Sequence, residues 1–189
     1  MGAFRTYLDA SREALAAAAA DIDEARVERA VTAIHAALAS HKPLLVCGNG
    51  GSAADAMHIA GELVGRYKKE RRALKAMALA ADPAVLTAWS NDYGYDSVFA
   101  RQVEAFGEAG GVLLALSTSG NSKNVIAAAE AARQKAMTVV ALTGAGGGKL
   151  AAKTDILLAV PATDTPLIQQ VHICLYHYLC AEVEARIAR

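Results

Sequence analysis

Five short apolar runs punctuate this chain, at residues 44–47, 74–80, 112–116, 138–142 and 156–160. They are apolar nearly throughout rather than at alternate positions, as expected of strands buried on both faces. Stretches with helical spacing separate them. That alternation predicts an α/β fold, a three-layer α-β-α sandwich around a central parallel sheet, Rossmann-like or flavodoxin-like in plan. Helices are predicted at about 3–20 and 24–40, with Asp23 as N-cap of the second. Others are predicted at 52–67, after Asp82-Pro83, from Asp96 to 106, at 122–135 and, briefly, at 149–153. The last begins at Thr165-Pro166, with the threonine as cap and the proline in the first helical position. Asn91-Asp92-Tyr93-Gly94 reads as a turn. No linker or composition break divides the 189 residues, which are read as one domain, 1–189.

The formal net charge is zero, so no overall basic field draws the chain to nucleic acid. The run Lys68-Lys69-Glu70-Arg71-Arg72 reads as a solvated loop or helix end. No apolar stretch is long enough to cross a bilayer, and the alanine-rich start lacks the pattern of a signal peptide. Cys47, Cys174 and Cys180 form no C-x-x-C pair and sit among apolar residues. They read as reduced, buried cysteines of a cytoplasmic protein. The high apolar content, 54%, much of it alanine, favours helix and points to helix faces buried between subunits.

Two loops at predicted strand ends carry the polar chemistry. Cys47-Gly48-Asn49-Gly50-Gly51-Ser52 is glycine-rich, so backbone N–H groups can approach a ligand before the next helix opens. It also matches the loose dinucleotide fingerprint, but the expected acid arrives only at Asp82, about ten residues late. A structural tight turn is the plainer alternative. Ser117-Thr118-Ser119-Gly120-Asn121-Ser122 offers four hydroxyls and an amide at a helix start. Capping needs only one or two of these, and a row of hydroxyls there suits a phosphate. The loop contains no lysine, so it is not a P-loop.

His58 and Glu62 are four residues apart and share a helix face, with Arg66 a turn further on. Spacing alone reads equally as a surface ladder of opposite charges. On the last helix, Gln169 and His177 point about 80° apart, close enough to converge on one site. His172 and Tyr176 read as core or interface residues.

In their order and spacing, several segments together resemble the sugar isomerase (SIS) domain family, and within it the phosphoheptose isomerases, over nearly the whole chain. They are Cys47-Gly-Asn-Gly-Gly-Ser52, Asp55-Ala-Met-His58, Glu62-Leu-Val-Gly-Arg66-Tyr67 and Asn91-Asp92-Tyr-Gly94, then Leu116-Ser-Thr-Ser-Gly-Asn-Ser122, Leu142-Thr-Gly144 and Thr165-Pro-Leu-Ile-Gln169. The resemblance implies an aldose–ketose isomerase acting on sedoheptulose 7-phosphate, at the start of activated-heptose biosynthesis. It implies Glu62 and His177 as the acid/base pair, and one zinc per subunit held by His58, Glu62, Gln169 and His177. Substrate would be bound by Asn49, Gly50, Gly51, Ser52, Glu62, Arg66, Asn91, Asp92, Ser117, Thr118, Ser119, Ser122 and Gln169. It further implies a homotetramer with active sites between subunits, residues 1–40 being a helical extension at the interface.

The chain departs from the family pattern twice. Gln170 follows Ile168-Gln169 where an acid is usual, and Arg71-Arg72-Ala73 lacks the usual Arg-Pro run. Some family members instead bind the bacterial replication initiator and lack the catalytic glutamate; the presence of Glu62 favours the enzyme. A sugar-phosphate-sensing regulator would need room for a DNA-binding domain, and a nicotinamide enzyme is the weakest alternative.

Overall fold

A computed structural model describes residues 2–188. The elements in chain order are α1 (Ala3–Asp21), α2 (Glu24–Ala39), β1 (Leu44–Cys47), α3 (Gly51–Val64), β2 (Ala76–Ala78), α4 (Pro83–Tyr93) and α5 (Val98–Phe106). They continue with β3 (Val112–Ser117), α6 (Lys123–Gln134), β4 (Thr138–Thr143), β5 (Ile156–Ala159) and α7 (Thr165–Ile187). Short 3-10 segments cover Tyr95–Ser97 and Gly148–Lys153. Among the described residues the strands make one parallel sheet, ordered β2-β1-β3-β4-β5. This is the expected three-layer α/β sandwich.

Every residue of β1 and β3 is buried, so the alternating side chains feed two separate cores. Leu44, Val46, Leu114 and Leu116 pack under α2, α3 and α7. Leu45, Cys47, Leu113 and Ala115 pack under α5 and α6. α2 therefore belongs to the sandwich itself, burying Ala30, Val31, Ile34 and Leu38. α1 lies outside it, buries only Ala18, and leaves Phe4, Tyr7, Leu8 and Leu15 exposed.

Several boundaries differ from expectation for local reasons. α3 ends at Val64, not Tyr67. The Arg71 guanidinium donates to the carbonyls of Glu62 (2.8 Å) and Gly65, closing the helix end that Tyr67 was expected to extend. β2 is shorter than 74–80, because the Leu74 N–H bonds back to the Leu63 carbonyl. Residues 91–93 are not a turn but the last turn of α4, prolonged by Tyr93 stacking on Trp89, and the chain reverses at Gly94. Asp164, not Thr165, stands in the N-cap position of α7, with its carbonyl accepting from Ile168. Cys174 is exposed rather than buried, since it faces away from the sheet toward α1.

α7 is tied to the sheet by His172, which is fully buried and whose Nε2–H donates to the Thr143 carbonyl at the end of β4 (3.1 Å). Its Nδ1 has no partner. Burial pushes the imidazole pKa down to about 4, against the opposing effect of the Thr143 bond. An unfolded histidine titrates near 6.5, so between pH 6.5 and 4 the unfolded chain binds a proton that the folded chain refuses. Stability should therefore fall as pH drops through that window, by about 3 kcal/mol from this residue, and should be insensitive to it above pH 7. Urea unfolding from pH 4 to 7 checks this: His172→Gln should flatten the slope, and an unchanged slope would refute the assignment.

Candidate active site

In strand order 2-1-3-4-5 the chain leaves β1 in one direction for β2 and in the other for β3, so a crevice opens between the carboxyl ends of β1 and β3. Both predicted loops lie there. Gly50 starts α3 with φ +55°, a conformation that glycine adopts without strain, and no side chain caps that helix. Asn49 and Asn124 join the two loops by reciprocal amide bonds of 2.8 and 2.9 Å, and the Tyr95 hydroxyl donates to Asn49 (3.0 Å).

In the second loop Ser117 and Ser122 share a hydroxyl contact of 3.0 Å, and Ser119 accepts from the Asn121 N–H. Ser122 is the N-cap of α6 yet makes no side-chain cap bond. The hydroxyls are thus not consumed in capping. Gly120 has φ +63°, and a Cβ there would meet the Gly147 carbonyl oxygen at 2.1 Å. The hydroxyl loop is therefore seated directly on the backbone of the loop after β4.

The charged cluster forms where α3 crosses α7. One ligand atom from each of His58, Glu62 and His177 lies within 4.8 Å of the others. His58 Nε2 is 2.9 Å from Glu62 Oε1, and its Nδ1 is 3.0 Å from the Tyr176 hydroxyl. The His58 and His177 rings meet edge to face at 5.1 Å, and Tyr67 stacks on His177. Behind them lies Asp55, 6% exposed, which accepts from Gln169 Nε2 at 2.9 Å and faces Tyr176. Burial raises the Asp55 pKa, against hydrogen bonds from Gln169 and Tyr176 and the nearby His58. Burial, then the Asp55 charge, pushes the Tyr176 phenol up to about 12.

His58, Glu62 and His177 are thus brought together as expected. Gln169 is not joined to them: its amide is bound to Asp55 and packs on Gly51, where a Cβ would sit 2.6 Å from Nε2. Arg66 falls beyond the end of α3, exposed, and pairs with Glu70 at 3.1 Å. Asn91 and Asp92 are exposed and bond each other. Asp55, Tyr176, Asn124 and Tyr95 were missed as site residues. The signal for Asp55 was available: an acid three residues before His58, on the helix face that also carries Ser52 and Glu62.

Residues 6–144 match the family model described as SIS domain. A phosphoheptose isomerase from Rhodospirillum rubrum is 54% identical over 158 residues, 84% of either chain. A solved structure of a phosphoheptose isomerase from Neisseria gonorrhoeae superposes with a TM-score of 0.91 at 43% identity, over 96% of this chain and 97% of that one. One from Francisella tularensis gives a TM-score of 0.92 at 36% identity, over 96% of each. The chain belongs to the SIS domain family, on its phosphoheptose isomerase branch.

The SIS domain's trio has the donor chemistry of a divalent-metal site, two imidazoles and a carboxylate. Donors on a tetrahedral zinc stand about 3.4 Å apart, so the 4.8 Å spread needs only small side-chain rotations. Gln169 would have to leave Asp55 to join them.

A buried charge pair holds the two sides of the SIS domain's cluster in place. Glu184 on α7 and Arg71 lie 3.3 Å apart, with side chains only 2% exposed. Glu184 also accepts from the backbone N–H groups of Tyr67 (2.8 Å), Lys68 (2.6 Å) and Lys69 (2.9 Å). Burial opposes its ionisation, but those three donors and Arg71 outweigh it and keep the carboxyl below the usual range. The Arg71 side chain is therefore buried and paired rather than part of a solvated basic run, while Lys68 and Lys69 stay exposed. Glu184→Gln strands Arg71 without a counter-charge and should cost about 3 kcal/mol in urea unfolding. A loss below about 1 kcal/mol would mean the pair is solvated in the native protein.

Proposed function

We propose that this chain isomerises sedoheptulose 7-phosphate to D-glycero-D-manno-heptose 7-phosphate through an enediol. The observation that carries this reading is the convergence of Glu62 and His177, with His58, at one point on α3 and α7. Isomerisation must move one hydrogen from C1 to C2 and one from O1 to O2. Glu62 is the group for carbon: it takes the C1 proton to make the enediol and returns it to C2. His177, stacked on Tyr67 and half-buried, is the group for oxygen, protonating O2 as the enediol forms and removing the O1 proton as the aldehyde closes. The phosphate is taken by Ser117, Thr118, Ser119 and Ser122 at the start of α6, where the Ser122 hydroxyl caps no N–H of the helix. That anchor at the far end of the substrate sets C1 and C2 against the acid/base pair. Asn49, Gly50, Gly51, Ser52 and Gln169 line the approach to it, with Arg66, Asn91 and Asp92 supplied from loop and helix-end positions.

His58, Glu62 and His177 hold a zinc ion in this reading, with Gln169 as a fourth ligand if it swings from Asp55. A bound metal would polarise the substrate's carbonyl and stabilise negative charge on its oxygens.

The working unit is a homotetramer in the cytoplasm, with sites between subunits. Support comes from the exposed apolar residues of α1 and from an apolar groove of about 340 Å3 between α1, α2 and α7, lined by Leu15, Ala18, Val171, Cys174 and Leu175. His58, Glu62 and His177 are also partly open to solvent on the single chain. Binding to the replication initiator is not favoured, because Glu62 is present and sits in the cluster.

Incubation with sedoheptulose 7-phosphate, followed by NMR, should show aldose phosphate formation, and Glu62→Gln should slow it by about 10²–10⁴-fold with folding intact. No turnover by the wild type, with or without zinc, would sink the proposal. Dilution to a monomer, monitored by light scattering, should abolish activity; full activity in a demonstrated monomer would refute the shared site.

A further inference from the structure

The two polar loops meet through a closed pair of side-chain amides, and one backbone group fixes which way round the pair is set. Asn124, 3% exposed in the first turn of α6, receives the Val125 N–H on its Oδ1 at 3.0 Å. A backbone N–H can only donate, so the atom facing it is the amide oxygen and the other is the NH2 group. The Asn49 amide then has one orientation left. Its Nδ2 donates to Asn124 Oδ1 at 2.8 Å, and its Oδ1 accepts from Asn124 Nδ2 at 2.9 Å. The Tyr95 hydroxyl donates to the same Oδ1 at 3.0 Å, since an amide oxygen has no proton to give. Both acceptor positions of that oxygen are thereby filled. A ring of two amides uses, on each nitrogen, the hydrogen on the carbonyl side. The other Nδ2 hydrogen of Asn49 has no partner among the described residues, and Asn49 is half-buried where β1 ends at the crevice.

We propose that Asn124 and Tyr95 are positioning residues that fix Asn49 as a donor-only contact, offering one N–H and no acceptor to an oxygen of the sugar phosphate. An unheld asparagine can turn over and accept from a hydroxyl as readily as donate to it. Held in this way, Asn49 takes only an oxygen with a lone pair turned toward it. That restriction suits a hydroxyl whose own hydrogen is given elsewhere, or an oxygen carrying negative charge. The contact is also tied to the hydroxyl loop, since Asn124 stands two residues after Ser122. Tyr95 brings the segment after α4 into the site through its phenol, although Asn91 and Asp92 there bond each other. The inference rests on the proposed isomerase site, but its first test uses no substrate.

Nitrogen-15 NMR of the ligand-free protein, with the Asn49 side-chain amide assigned by Asn49→Ala, reads how fast each of its two hydrogens exchanges with water. In the wild type one should be protected and the other fast. Asn124→Leu, of similar volume, should remove the difference, and Tyr95→Phe should narrow it. Calorimetry in a Glu62→Gln background then reads sedoheptulose 7-phosphate binding without turnover. Each variant should weaken binding about 3–10-fold. Neither should weaken it further once Asn49 is replaced by alanine, because both act only through that residue. Tyr95 is 49% exposed, so Tyr95→Phe carries the test alone should Asn124→Leu fail to fold. Equal exchange of the two hydrogens in the wild type, or full losses that persist beside Asn49→Ala, would overturn the proposal. The expected exchange pattern without any binding of the sugar phosphate would support the fixed donor and count against the isomerase reading.

Discussion

The buried pair of Glu184 and Arg71 is the constraint on which the geometry of the site depends. Taking two charges out of water costs several kcal/mol each, and their mutual attraction alone seldom repays it. Here the remaining valences are largely filled. Glu184 collects three backbone N–H groups from 67–69, and Arg71 closes the carbonyls at the end of α3. Only Arg71 Nε is left without a partner. An apolar replacement could pack the same volume, but it would not direct three consecutive amides and two helix-end carbonyls to fixed places. The pair thus sets where α3 stops, where Tyr67 lies on His177, and how far Glu62 stands from α7. Its contribution is orientation more than net stability.

From that fixed crossing, α3 runs back to the crevice between β1 and β3. One helix therefore carries both halves of the site: its start lies beside the hydroxyl loop, and its last two turns carry His58 and Glu62. The reciprocal amide bonds of Asn49 and Asn124 lock the two loops together across the crevice. The hydroxyl loop is in turn locked from below, where Gly120 meets Gly147 and Gly148 backbone to backbone. Such a loop cannot shift by an ångström without breaking a glycine contact. In the proposed reaction a phosphate held there would arrive at a preset distance from Glu62 and His177, which is the entropic part of catalysis.

The sheet was legible because five apolar runs, separated by helical spacing, admit few other arrangements. The strand ends were legible too, since polar loops after β1 and β3 have few structural reasons to be so rich in glycine and hydroxyls. What misled was local composition overruled by packing. Asn91-Asp92-Tyr93-Gly94 has the residues of a turn, yet Tyr93 stacking on Trp89 carried α4 through it. Helical spacing was extrapolated through Arg66, while the end of α3 is decided by Arg71, a residue whose role depends on α7. Tyr176 looked like core, and is core at 2% exposure, but its hydroxyl reaches the site. A side chain whose ring serves the core and whose oxygen serves the chemistry cannot be assigned by spacing, because both readings place it on the same face.

That double use explains why the two histidines of α7 differ so sharply. His172 and His177 are five residues apart, and so point in different directions from one helix. His172 enters the core, bonds a carbonyl with one nitrogen and leaves the other empty, an environment that keeps it neutral. His177 instead meets His58, Tyr67 and Tyr176, at an edge that the single chain leaves partly open. The proposed proton exchange needs a group with water or substrate at hand, and of the two only His177 has that access. The helix that anchors the fold through one imidazole thus presents the other beside His58 and Glu62, with Tyr176 between them bonded to His58.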